Sequence, residues 1–222
     1  MNVAEAVTSR RSIRAFVDKP VDLAMLTRVL ETAQASPSGG NTQPWNAVVL
    51  SGAPLQRLLT HVAEAIPAGL AAYSAEYPIY PADLGGRYND SRFGVGEAMY
   101  AALEIPRADK ARRMDVFRNN FRAFGAPVLM LVHTPRYMGL PQWSDIGMWL
   151  QTVLLLRGEG LDSCAQEAWA VYQKHIREMV DLPEDHIFFC GVAIGWGDRE
   201  DPVNRFPVPR VPLDQAVRFE GF

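Results

Sequence analysis

Residues 36–46 read S-P-S-G-G-N-T-Q-P-W-N. Pro37 and Pro44 flank two glycines and a row of short polar side chains, a composition that neither continues a helix nor pairs well as a strand. The segment is therefore a loop. Gly39 and Gly40 let backbone come close to a flat or bulky ligand, while Ser38, Asn41 and Gln43 offer donors and acceptors at short reach. Trp45 closes the loop onto apolar packing. Polar Gly-Pro loops are also ordinary connectors, and the flanking sequence must discriminate between the two uses.

Before the loop, Asp22 is placed to cap a helix in which Leu23, Leu26, Leu30 and Ala33 recur at three- and four-residue spacing. After it, Trp45 to Leu50 has the apolar, β-branched content of a strand that stops at Ser51-Gly52, and Leu55, Leu58, Leu59, Val62 and Ala63 form a second helical stripe. Upstream, Asn2 with Glu5 resembles a capping box on a short helix that delivers the chain to S-R-R-S-I-R-A-F, Ser9 to Phe16. In an extended segment Arg10, Ser12 and Arg14 share one face and Arg11, Ile13 and Ala15 the other, which suits clamping a phosphate and a second electron-rich group. A solvated basic turn at a helix end is the alternative.

S-R-R-S-I-R-A-F, an apolar helix, and then S-P-S-G-G-N-T-Q-P-W together resemble the FMN-dependent nitroreductase family. The tail agrees: G-W-G-D follows an apolar strand and leads into V-N-R-F-P-V-P-R-V-P-L-D, similar to that family's closing segment with its late phosphate-binding arginine. The resemblance implies an α+β nitroreductase-like fold, a mainly antiparallel central sheet flanked by helices, with a C-terminal strand exchanged in a homodimer. It implies FMN as cofactor and NAD(P)H as co-substrate. Arg10, Ser12 and Arg210, with Arg11 in the same basic run, go to the phosphate, and Arg14 to the pyrimidine edge of the ring. Pro37, Ser38, Gly39, Asn41 and Gln43 go to the ring or ribityl chain, supplied by the other subunit. Glu167 and Ala168 lie against the ring, the Glu167 backbone N–H facing the hydride-accepting nitrogen; Ala168 stands where the family often has Gly. Val208 stands where relatives often have a second basic residue, so Arg205 becomes a candidate substitute. The implied reaction is ping-pong: a nicotinamide reduces the flavin and leaves, and an electron-poor nitroaromatic or quinone is reduced in its place. Other chemistry on the same flavin fold (dehydrogenation, dehalogenation, flavin fragmentation) and a non-catalytic FMN-binding module stay open.

Composition sets the wider bounds. The chain has 222 residues, 48% apolar and 21% charged, which fits a single globular domain spanning 1–222. With 22 basic and 25 acidic residues the net charge is −3, so the arginines act locally and nucleic acid is not an expected partner. No apolar run approaches the ~20 residues that cross a bilayer and no signal core opens the chain, so no membrane partner and a cytoplasmic location are expected. Cys164 and Cys190 lack C-x-x-C spacing and clustered His, which reads as buried free thiols with no metal site.

The remaining pattern supplies scaffold. Ile66 to Asn89 breaks periodicity with scattered Pro, Gly and Tyr, either a surface excursion or a lid. G-V-G-E-A-M, Gly94 to Met99, lacks the third glycine and the preceding strand of a dinucleotide fingerprint. Residues 91–105 and 109–123 read helical, the second with Arg112, Arg113, Arg118 and Arg122 facing water. Ala126 to His133 is an apolar run expected mid-sheet, and Trp143 to Arg157 is a helix apolar nearly all round, ended by Gly158 and Gly160. His175 to Val180 reads as a short helix and Ile187 to Ile194 as a buried strand. The apolar tail from Val211 to Phe222 is expected to be buried, against a partner or its own subunit.

Overall fold

A computed structural model describes residues 2–155 and 160–222. Asn2 caps α1 (Val3–Ser9) with the reciprocal Glu5 bond that its spacing requires, and Asp22 accepts from the Met25 N–H at the start of α2 (Leu23–Ala33). Between them lies the two-residue strand β1 (Phe16–Val17). The chain continues through β2 (Asn46–Ser51), α3 (Gly52–Ala65), α4 (Gly86–Ala102), α5 (Lys110–Arg118) and β3 (Val128–Pro135). It ends with α6 (Leu140–Leu154), β4 (Asp162–Gln166), α7 (Gln173–Met179) and β5 (His186–Gly197), followed by a coil tail.

The five strands form one sheet paired antiparallel throughout, in the order β1-β5-β3-β2, with β4 also on β5. β3 is buried along both faces because successive side chains serve opposite layers. Val128, Met130 and Val132 join Leu26, Val29, Ile146, Trp149 and Val153 of α2 and α6, while Leu129 and Leu131 join Leu55, Leu58, Val62 and Ile176 of α3 and α7. β5 divides the same way, with Cys190, Val192 and Ile194 to one side and Phe188 and Ala193 to the other. Midway along it, Gly191 lies directly against the Trp169 indole, which itself packs edge-on to Phe121 at 5.7 Å, so no side chain fits there.

Several expected elements are redrawn by packing. The helix expected over 109–123 ends at Arg118 and tightens into a 3₁₀ turn, Asn119–Gly125, where Ala123 and Phe124 take positive φ. Phe121, Ala123 and Phe124 are all buried, and a continued α-helix would carry some of them away from the core. Arg113 does not face water: its guanidinium grips Glu97 and the carbonyls of Ile105 and Pro106, tying α5 to α4. α6 is buried on one face only, with Ser144, Gly147 and Gln151 exposed; its expected end at Leu156, Arg157 and Gly158 lies outside the described residues. α4 begins at Gly86, inside the stretch expected to be irregular, and takes in Gly94 to Met99. The segment before it crosses the surface pinned by Tyr73 on Tyr172 and by Tyr77, which lies against Trp143 and donates to the Phe189 carbonyl.

α4 buries none of its residues. The tail has no strand within its own chain, only a 3₁₀ turn at Leu213–Gln215; it meets α4 where Arg87 donates to the Gln215 carbonyl, and Val211, Leu213, Val217, Phe219 and Phe222 are exposed. Both cysteines are free and buried. Among the described residues no helix is long and apolar enough to cross a membrane.

Candidate functional site

The basic run leaves α1 at Arg10 and becomes extended, held as a strand would be: Ser12 bridges Ser163 of β4 in parallel, and the Ile13 N–H donates to the Ser163 carbonyl at 3.0 Å. Ile13 is fully buried and fixes the segment's rotation. The Arg14 N–H donates to Asn204 Oδ1 at 2.7 Å, and the Asn204 amide in turn donates to the carbonyls of Ala15 and Asp198. Asn204 thus splices the closing segment to the basic run. Its position within V-N-R-F was visible in the sequence, but nothing in one sequence marks which polar residue of a coil meets a strand 190 positions away.

The outcome is a cavity of about 390 Å³ at the end of α1, lined by Arg10, Arg11, Ser12, Arg14 and Arg210 together with Val7, Thr8, Val95 and Val208. Of the ion pairs among the described residues, none takes Arg10, Arg11, Arg14 or Arg210. Burial lowers the Arg10 pKa, and the neighbouring charge of Arg210 lowers it further, followed by Arg11 and Arg14. Four cations facing one space without a carboxylate repel one another, an arrangement that an anion relieves. Arg14 also lies 5.8 Å from the Phe206 ring centre, which holds its guanidinium between the closing segment and Ser12, whose carbonyl it bonds at 3.2 Å. Behind this wall sits Cys164, its thiol pKa pushed up by complete burial against the opposing pull of Arg14, Ser12 and Arg10.

Arg205 is not part of the lining: it donates to the Arg199 carbonyl at 2.6 Å and pairs with Glu200. Arg210 enters the cavity alone from the closing segment, alongside Val208. The reason is local, since the turn at Pro202–Asn204 aims Arg205 back at the acids just before it.

The Ser36–Asn46 loop is built elsewhere. Ser36 bonds Thr152 of α6 at 2.9 Å, and the Gly39 N–H donates to the buried Asp145 carboxylate of α6 at 3.2 Å. Asp145 was not singled out from the sequence, where a lone acid in an apolar helix carries no signature. Gly40, Asn41 and Gln43 adopt positive φ, and the Gln43 N–H donates to Ser38 Oγ at 3.0 Å. Trp45 stacks on Trp149 at 6.0 Å and donates to Gln34, locking the loop's exit. Pro37, Gly39, Asn41 and Gln43 stay exposed, with Ser38 half-buried, so the loop presents polar groups outward on a rigid base. None of these residues lines the arginine cavity of the same chain.

Glu167 and Ala168 open the 3₁₀ turn that follows β4. Glu167 is exposed, yet the apolar surroundings of its carboxyl raise its pKa, and it acts electrostatically on Tyr77 and Cys190, both also pushed up chiefly by burial. The single chain therefore brings together Arg10, Arg11, Ser12, Arg14 and Arg210, and leaves the loop and the Glu167 turn as separate surfaces.

The family model described as the Nitroreductase family matches residues 7–196. The chain belongs to the nitroreductase family. A nitrobenzene nitroreductase of Ectopseudomonas oleovorans is 33% identical, over 98% of this chain and 96% of its own. Among solved structures, the FMN and NADPH-dependent nitroreductase NfnB from Sphigopyxis sp. strain HMH is 51% identical and superposes with a TM-score of 0.98 over 100% of both chains. The FMN-dependent nitroreductase NfnB from Mycobacterium smegmatis, solved in complex with NADPH, is 28% identical with a TM-score of 0.92 over 98% of this chain and 97% of its own. The α+β architecture with its antiparallel sheet is thus that of the nitroreductase family.

Proposed function

We propose that the protein is an FMN-dependent oxidoreductase that uses NAD(P)H to reduce nitroaromatics or quinones. The observation that carries this reading is the convergence of Arg10, Arg11, Ser12, Arg14 and Arg210 on one cavity with no carboxylate among them. A phosphate monoester dianion fits that donor set, because guanidinium forks and a hydroxyl satisfy several of its oxygens at once. FMN, when bound, supplies two-electron exchange between a reduced nicotinamide and an electron-poor aromatic. Arg10 and Arg210, with Ser12 and Arg11, hold the phosphate end. Arg14, anchored by Asn204 and Phe206, is placed to stabilise negative charge on a reduced ring. No side chain need act as nucleophile; the protein's part is binding, orientation and electrostatics.

The Pro37–Gln43 loop belongs in the same site through a homodimer, each subunit offering its loop to the partner's arginine cavity. The exposed apolar groups of the tail, and α4 with none of its residues fully buried, support that assembly. One nitroreductase-like unit over residues 1–222, acting in the cytoplasm, is the setting of this reading.

Chromatography of the flavin released by denaturing the purified protein, together with NAD(P)H oxidation that depends on added nitroaromatic, tests it. FMN release with nitroaromatic-dependent turnover is expected. FAD, or no flavin after growth with excess riboflavin, overturns the site; FMN without turnover on nitroaromatics or quinones overturns the reaction.

A further inference from the structure

On the opposite layer of the sheet from α2 and α6, α3 and α7 pack side by side through Leu58, Val62 and Ile176. At their outer edge three side chains converge. His61 of α3 places Nε2 2.7 Å from Glu178 Oε2, and His175 of α7 places Nδ1 3.4 Å from the same oxygen. His175 and Glu178 stand three residues apart and so share one face of their helix, with His61 reaching across from the neighbour. The two imidazole rings are 5.5 Å apart at their centres, and one donor atom from each of the three residues lies within 4.8 Å of the others. His175 Nδ1 is shielded from solvent yet has no hydrogen-bond partner.

We propose that His61, His175 and Glu178 form a binding site for a divalent transition-metal ion of the zinc class, which cross-links α3 to α7. Two imidazoles and one carboxylate are the donors that borderline cations such as Zn²⁺, Co²⁺ and Ni²⁺ select, and they do not suit Mg²⁺ or Ca²⁺, which take all-oxygen shells. A tetrahedral ion with ligands at about 2.0–2.1 Å needs its donors about 3.3 Å apart. Two of the three separations already bracket that value, at 2.7 and 3.4 Å. The third pair of donors lies within 4.8 Å and would have to close to that spacing on binding. A metal would also satisfy His175 Nδ1, which is shielded from solvent and makes no hydrogen bond. The cross-link would brace the segment that begins with the Glu167 turn, since α7 follows that turn directly.

The test uses the flavin-loaded protein without any affinity tag, titrated with ZnCl₂ by calorimetry and followed by thermal unfolding with and without Zn²⁺. One equivalent bound per chain and a zinc-dependent rise in Tm are expected. Losing an outer-shell partner commonly costs 10–100-fold in metal affinity, so His61→Ala or His175→Ala, which remove direct ligands, should cost more than about 100-fold. Glu178→Gln keeps the shape of the site and should weaken Zn²⁺ binding and shrink the zinc-dependent rise in Tm. The chain's other two histidines, His133 and His186, form a separate pair whose Nδ1 atoms are 2.7 Å apart, so His133→Gln serves as control and should bind Zn²⁺ normally. No heat and no change in Tm with Zn²⁺ overturns the proposal. So does zinc binding that survives in His61→Ala and His175→Ala, or that is lost in His133→Gln.

Discussion

Arg10→Ala separates a binding role from a structural one because the two predict opposite signs. In the flavin-free protein Arg10 is partly buried and its charge is opposed by burial first and by Arg210, Arg11 and Arg14 next, with no carboxylate offsetting them. Removing it relieves repulsion, so the deflavinated variant should unfold at an equal or higher temperature than the deflavinated wild type. With FMN present the balance reverses. A hydrogen bond to a charged group is worth about 1.5–3 kcal/mol, so loss of one guanidinium contact to the phosphate should raise the Kd for FMN about 10- to 150-fold at 1.4 kcal/mol per decade. Arg210→Ala faces the same cavity from the closing segment and should behave alike. Quenching of flavin fluorescence measures the affinity, and differential scanning fluorimetry with and without FMN measures both signs. FMN affinity unchanged in Arg10→Ala, or a deflavinated variant markedly less stable than wild type, would refute the assignment of this cluster as the phosphate cradle.

Arg14→Gln should slow flavin reduction by NADPH more than it weakens FMN binding, by about 2–4 kcal/mol in the reduction step, as for loss of one donor to a developing anion; stopped-flow bleaching checks it, and equal losses in both quantities contradict the division of roles. Deleting residues 213–222 spares Arg210 but removes Leu213, Val217, Phe219 and Phe222 from the exposed tail, and should yield monomer or aggregate with little FMN by light scattering and flavin absorbance; a stable, yellow, active dimer would show that the tail is no clasp. His133 is held at about 4 by burial first and by the charges of His186 and Arg177 next, below the ordinary histidine value of about 6.5, so the folded state resists a proton that the unfolded chain accepts. Its contribution to stability is complete above about 6.5 and declines as pH falls toward 4. Tm measured across that window should fall less steeply in His133→Gln than in wild type, and matching slopes would count against it.

Local signals were legible wherever one residue acts on its near neighbours. The Asn2 and Asp22 caps, the stripes of α2 and α3, and the doubly buried run of β3 follow from hydrogen-bonding reach and side-chain period, which the chain carries within a few residues. The basic run was legible only in part: extended backbone puts Arg10, Ser12 and Arg14 on one side as expected, but Arg11, expected on the opposite face with Ile13 and Ala15, lines the same cavity. The tertiary structure decided what lies between distant segments. β4, Asp-Ser-Cys-Ala-Gln, has none of the branched side chains that mark a strand and exists because β5 and the basic run supply its hydrogen bonds. Packing of Phe121 and Phe124 cut short the helix expected over 109–123, and Glu97 turned Arg113 from a solvent-facing cation into a brace. Which arginines meet was also decided in three dimensions: Arg205 and Arg210 are five residues apart in one coil, yet the turn at Pro202–Asn204 sends the first to Glu200 and leaves the second in the cavity. Spacing records which residues share a face, and only long-range pairing determines what that face meets.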